Sequence, residues 1–139
     1  MYKAIFILFL AAMTFSACKT SETPAECESK ICDERFSYVI VSFTDKNGVG
    51  IPVKNYSAVN QRTGDTLKSA TLATLSLVPG TYVIADDSHK KLLAENGDDI
   101  KISGTNEATN QTKTAIVKIA GGKCACHIQK LSGPDRIAF

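Results

Sequence analysis

Four cysteines limit what this chain can fold into more than any other feature. Cys27 and Cys32 stand near the start of the body of the chain, Cys124 and Cys126 near its end. Read as a strand, Lys123 to Leu131 puts both late cysteines on one face. Neighbours at i and i+2 lie about 6.6 Å apart, near the outer limit for a disulfide. Pairing Cys27 with Cys32 would force that strained bridge, so the simplest closure staples each early cysteine to a late one. First and last strands that run parallel favour Cys27 with Cys124 and Cys32 with Cys126; the crossed pairing stays open. A closed loop of about 100 residues is worth on the order of 4 to 5 kcal/mol in the chain-entropy account.

Whether these thiols become disulfides or metal ligands depends on compartment. Met1-Tyr2-Lys3 is a short basic start, and residues 4–15 form an apolar run. That run fits the core of a secretory leader and is too short for a bilayer span of about 20 residues. It ends in Phe15-Ser16-Ala17-Cys18. These four residues resemble the lipobox of bacterial lipoproteins, with Phe15 where Leu is more usual. The resemblance implies cleavage before Cys18, acyl chains of the palmitate class on Cys18, and attachment to a membrane. Several acyl chains on one residue make a lasting anchor where one would not. Position 19 is Lys rather than Asp, which in the familiar sorting scheme implies the outer membrane and leaves the leaflet open. The expected organisation is a cleaved leader over 1–17, a lipid-anchored tether over 18–31 and a folded domain over 32–139. The tether is polar and acidic, with Thr20, Ser21, Glu22, Pro24 and Glu26 and no apolar period.

The domain is expected to be all-β, an antiparallel β-sandwich of about seven strands with one short inserted helix. Residues 35–44 are rich in β-branched and aromatic side chains, apolar on both faces in the middle. Asp45-Lys46-Asn47-Gly48 supplies a turn, and residues 51–59 resume as a strand. Arg62-Thr63-Gly64-Asp65 turns again. Leu72, Leu75 and Leu77 then lead to Pro79-Gly80, a turn between two strands. Asp87 or Ser88 as N-cap, Leu92 to Ala94, and Asn96-Gly97 as a stop outline two helical turns. Strands follow at Ile100 and Ile102, and from Thr112 to Ile119 after a polar loop over 104–111. The cysteine strand and a short tail ending at Phe139 complete the chain.

The run from Leu77 to Ile84, LVPGTYVI, with the preceding VGIPVKNYSAVNQRTGDTL, resembles the Ig-like prealbumin-like sandwiches. These include transthyretin-like domains, carboxypeptidase regulatory-like domains and B-type repeats of collagen adhesins. Together with the lipobox and the cysteines, the chain resembles small bacterial lipoproteins that carry such a domain over most of 27–134. The resemblance implies a binding, spacing or stability module and brings no catalytic residues. The Lys–Asn isopeptide of adhesin repeats has no motif among Lys46, Lys54, Asn55 and Asn60.

At 139 residues and 44% hydrophobic content the chain can bury one core. Beyond Lys3 it carries 15 basic and 14 acidic residues, with 7% aromatics and no Trp, poor material for nucleic-acid binding. Thiolate and imidazole ligation by Cys27, Cys32, Cys124, Cys126 and His127 does not follow usual zinc spacings. It defines the competing class, an envelope metal-handling or thiol-redox protein. His89 and His127 lack a nucleophile or orienting acid in a recognisable pattern, and no cofactor is expected. Asp86-Asp87 and Asp98-Asp99 would suit a hard cation, and helix capping explains them equally well. Asp65-Thr66-Leu67 resembles a bacterial O-glycosylation sequon, making Thr66 a candidate site. The partner expected is an envelope protein or a glycan.

Overall fold

The computed structural model describes Cys27, residues 31–69 and residues 78–139. The expected leader, Cys18, and the expected strand through Leu72, Leu75 and Leu77 lie outside the described residues. Among the described residues seven strands follow in order: β1 Tyr38–Thr44, β2 Val53–Asn60, β3 Thr81–Asp86, β4 Asp98–Asn106, β5 Thr112–Ala120, β6 Gln129–Ser132 and β7 Arg136–Ala138. They form two sheets, β3-β1-β7 and β2-β4-β5-β6. Every neighbouring pair is antiparallel except β1 with β7, which run parallel through Ser42–Arg136, Phe43–Ile137 and Thr44–Ala138.

The core follows from two-residue alternation. Val39, Val41 and Phe43 of β1 face Ala58 of β2, Ile100 and Ile102 of β4, and Val117 and Ile119 of β5. On β1 only one face is buried: Tyr38 and Ile40 point to solvent, contrary to the two-faced burial that their hydrophobicity suggested. Phe43 sits at the centre, edge-on to Tyr56 and Tyr82 at centroid distances of 6.3 and 5.7 Å. The two tyrosines stack at 4.6 Å, and each hydroxyl reaches the other's sheet. Tyr82 Oη accepts from Val53 N at 2.8 Å and donates to Val53 O at 3.1 Å, while Tyr56 Oη donates to Val83 O at 2.9 Å. The Pro79-Gly80 turn holds this arrangement. Gly80 has φ +77°, and a Cβ there would lie 2.5 Å from Phe43 O and 2.6 Å from Ile51 N, so both its conformation and its space require glycine.

Three elements differ from the sequence reading. The helix is a 3₁₀ helix, Asp87–Leu92, capped by Asp86; its C-cap Leu93 is extended and buried in the core. Asn96-Gly97 closes a separate turn, with Gly97 N donating to Ala94 O at 3.1 Å. Strand β4 continues to Asn106, so the polar loop is shorter than expected. The cysteines do not lie on a strand, because β6 begins only at Gln129. The cause lies in the preceding glycines: Gly121 N donates to Ala94 O at 3.1 Å and Gly122 N to Lys90 O at 2.8 Å. Those backbone groups are committed to the 3₁₀ helix and the residues just after it and cannot extend the ladder.

Loop 121–128 is joined to the start of the domain by two disulfides, Cys27–Cys124 and Cys32–Cys126, each with Cα atoms 5.3 Å apart. This is the parallel pairing. The bridges close nearly the same loop, with separations of 97 and 94 residues. The first closure therefore removes about 4 to 5 kcal/mol of unfolded-state entropy and the second much less. Full reduction should lower the melting temperature sharply. The double change Cys32→Ser with Cys126→Ser should cost less than either single change, which leaves a thiol free to scramble. Calorimetry of the three variants beside the reduced wild type checks this order.

Candidate functional site

A polar cluster lies where loop 121–128 meets the 3₁₀ helix and the segment 31–37. His127 bridges two carboxylates: Nδ1 lies 2.7 Å from Asp87 Oδ2, and Nε2 lies 2.6 Å from Asp33 Oδ1. Asp87 is the more fully engaged of the two. It accepts from Ser37 N at 2.8 Å and Ile128 N at 2.9 Å, and its own N–H donates to Ser37 O at 3.0 Å. Asp33 is half exposed and pairs with Arg35, whose Nη2 lies 2.8 Å away. Lys90 Nζ donates to Cys126 O at 3.1 Å from the other side. One residue, His127, thus joins the incoming chain, the helix start and the disulfide loop.

Both ring nitrogens can donate only in the imidazolium form. The Asp87 and Asp33 carboxylates accordingly hold the His127 pKa above its usual 6.5. In return the pKa of Asp33 is lowered, chiefly by Arg35 and then by His127. Burial works to raise Asp87, and the hydrogen bonds from His127 and two backbone amides outweigh it, leaving the pKa lowered. A general base needs a free nitrogen beside a substrate or nucleophile. Here both nitrogens are taken by carboxylates, and the arrangement acts as a clasp. A cleft of about 380 Å³ opens beside it, lined by Glu95, Gly121, Cys126, His127, Ile128 and Gln129.

His89, the other imidazole, is buried at the 3₁₀ helix. Its Nδ1 lies 3.1 Å from Asp86 Oδ1 and 3.4 Å from Ser88 Oγ, and Asp86 N reaches the same nitrogen at 3.3 Å. Asp86 also accepts from Ser69 and Ser88 hydroxyls. Burial pushes Asp86 up, and those hydroxyls more than offset it, so its pKa is lowered. Serine and aspartate crowd one nitrogen instead of flanking the ring, which is the wrong order for a charge-relay triad.

A third cluster locks the turn 61–65 to β4. Asp98, with 2% of its side chain exposed, receives Arg62 Nε at 2.6 Å and Nη2 at 2.8 Å, Asn60 Nδ2 at 2.8 Å and Ala94 N at 3.1 Å. The Arg62 fork is the main cause of its pKa falling to about 2. Strand alternation buries Asp98 and exposes Asp99. Asp86, Asp87 and Asp98 are thus each engaged by donors of the protein, while Asp99 faces solvent. Among the described residues no three His, Cys, Asp or Glu side chains group so as to hold a metal ion. Thr66 is exposed and bridges to Val59, with Leu67 beside it buried. Lys54 donates to Asn110 at 2.6 Å, while Asn60 serves Asp98.

Sequence reasoning named His127 and Asp87 separately and missed their contact, as it missed Asp33 and the Arg62–Asp98 fork. These are pairings across 94, 40 and 36 residues. The only pointer was the cysteine pairing, which brings residue 33 near residue 127. Comparison of the chain with family models, with curated proteins and with solved structures returned no match.

Two pH dependences follow. The stability that Asp98 contributes is present above 3.8 and is lost as pH falls toward about 2. With Arg62 half exposed, that contribution is on the order of 1 to 2 kcal/mol. Asp98→Asn should remove it and flatten the acid limb of a melting-temperature profile. His127 has the opposite sign: its raised pKa stabilises fully below 6.5, and the gain fades as pH rises through the folded value. The melting-temperature difference between wild type and His127→Gln should be largest between 3.8 and 6.5 and should shrink on the alkaline side.

Proposed function

We propose that the chain is a lipoprotein, held to a bacterial membrane by acyl chains on Cys18. Its β-sandwich would serve in the envelope as a non-enzymatic binding or spacing module. The observation that carries the reading is the pair of disulfides. Such bonds persist in an oxidising compartment, and the leader ending in Ser16-Ala17-Cys18 is the route to one. Lys19 favours the outer membrane. The clasp supports the non-enzymatic part of the reading, since a histidine engaged at both nitrogens has none to offer a substrate.

The finer reading of the fold is a prealbumin-like sandwich. Its support is the Pro79-Gly80-Thr81-Tyr82 turn and the division into three and four strands. The partner is an envelope protein or a glycan, and Thr66, exposed beside Asp65, remains the candidate for a glycan attached to the chain itself. A metal-handling or thiol-redox protein would need thiolates, whereas all four domain cysteines are bonded to one another.

Intact-mass measurement of the mature protein tests the anchor. The wild type should begin at Cys18 and carry the added mass of diacylglycerol, and Cys18→Ala should accumulate as an uncut, unacylated precursor. A wild-type mature form without acyl mass would overturn the reading.

A further inference from the structure

We infer that the stapled end of the sandwich is a membrane-docking surface. On this inference Ile31, Phe36 and Leu92 dip into the lipid interface of the bilayer that holds the anchor. The inference rests on the lipid-anchor reading. Ile31 is 98% exposed, Phe36 55% and Leu92 60%, and Tyr38, also exposed, starts β1 at the same end. These residues belong to segments already tied together: the two Ser37–Asp87 hydrogen bonds and the Asp33–His127 contact hold the chain start against the 3₁₀ helix and loop 121–128. At the opposite end of the sandwich, where the turns 45–50 and 78–80 lie, the large exposed apolar residues among the described residues are Val49 and Val78.

The length of the tether decides what this end meets. Cys27 lies nine steps along the chain from Cys18, a reach of at most about 32 Å fully extended. Strands of nine residues make the sandwich about 30 Å long. Because Cys27 is bonded at the stapled end, that end is held within this reach of the bilayer, whereas the turns 45–50 and 78–80 can lie up to about twice as far from it. Confinement of this kind gives an effective concentration in the millimolar range, so a few inserted side chains suffice.

Charge does not drive the contact. Arg35, Lys91 and Lys123 are exposed there, but so are Glu34 and Glu95, and Asp33 is already paired. Apolar insertion carries it, with the basic side chains reaching toward headgroups. Docking should therefore survive high salt.

The chain has no tryptophan, so Phe36→Trp and Leu92→Trp give single reporters and Val49→Trp a control at the far end. Each acylated protein is reconstituted in phosphatidylethanolamine–phosphatidylglycerol vesicles with brominated acyl chains, after mass and circular dichroism confirm both disulfides and the fold. Bromine should at least halve the emission at positions 36 and 92 and leave position 49 unchanged, in dilute buffer and in about 0.5 M salt alike. Unquenched reporters at 36 and 92 on acylated protein that floats with the vesicles would overturn the docking and leave the anchor standing. A concentration-dependent blue shift without quenching would assign the surface to a second copy and overturn the lipid contact. Absence of the acyl mass would overturn the anchor reading, and the docking with it.

Discussion

The structure depends most on the covalent closure between its first residues and loop 121–128. That loop has no ladder of its own. It is held by Cys27–Cys124, Cys32–Cys126, two glycine amides committed to the carbonyls of Lys90 and Ala94, and His127 between Asp33 and Asp87. Glycine is what lets it lie so close: a Cβ at Gly121 would meet Lys90 O at 2.4 Å. The 3₁₀ helix is braced in turn by the loop, and Leu93 behind it seals the core. Disulfides fix topology but not orientation. The imidazolium supplies the orientation, since its two donors are opposed across a rigid ring.

Away from that end the sheets hold each other by a different device. Phe43 fills the middle, and the stacked Tyr56 and Tyr82 send their hydroxyls in opposite directions onto the backbone of the facing sheet. Burial raises the Tyr56 hydroxyl pKa far above its usual value, which keeps it a donor to Val83 O. A small domain with a core of mostly Val and Ile gains from such fixed polar contacts, because aliphatic packing alone tolerates sliding of one layer over the other.

What was legible in the sequence was periodic or short in range. The alternation in β4 and β5 and the Pro79-Gly80 turn can be read locally, and so can the all-β class. The cysteine pairing was legible because four residues allow few closures. The strand assigned to Cys124 and Cys126 was not, since apolar alternation cannot register that the preceding amides are spent on the carbonyls of Lys90 and Ala94. The outward face of β1 misled for a related reason: Tyr38 and Ile40 have strand-like side chains, and only the sheet order says which side faces water. The polar contacts were the least visible. Asp33, Arg62, Asp86 and Asp98 look like ordinary surface charges until the fold supplies partners.

The adjacency of β1 and β7 has a mechanical meaning. A parallel pair joined only at Ser42 to Thr44 is a short ladder, and a pull along β1 would shear its hydrogen bonds together. The bridges at Cys27 and Cys32 divert that pull. Tension entering the chain from upstream passes through sulfur to Cys124 and Cys126 before it reaches Tyr38. From there it runs through the backbone into β5 and β6, in the middle and at the edge of the four-stranded sheet. Load is thus shared across the larger sheet, and the strand that begins the fold is left slack.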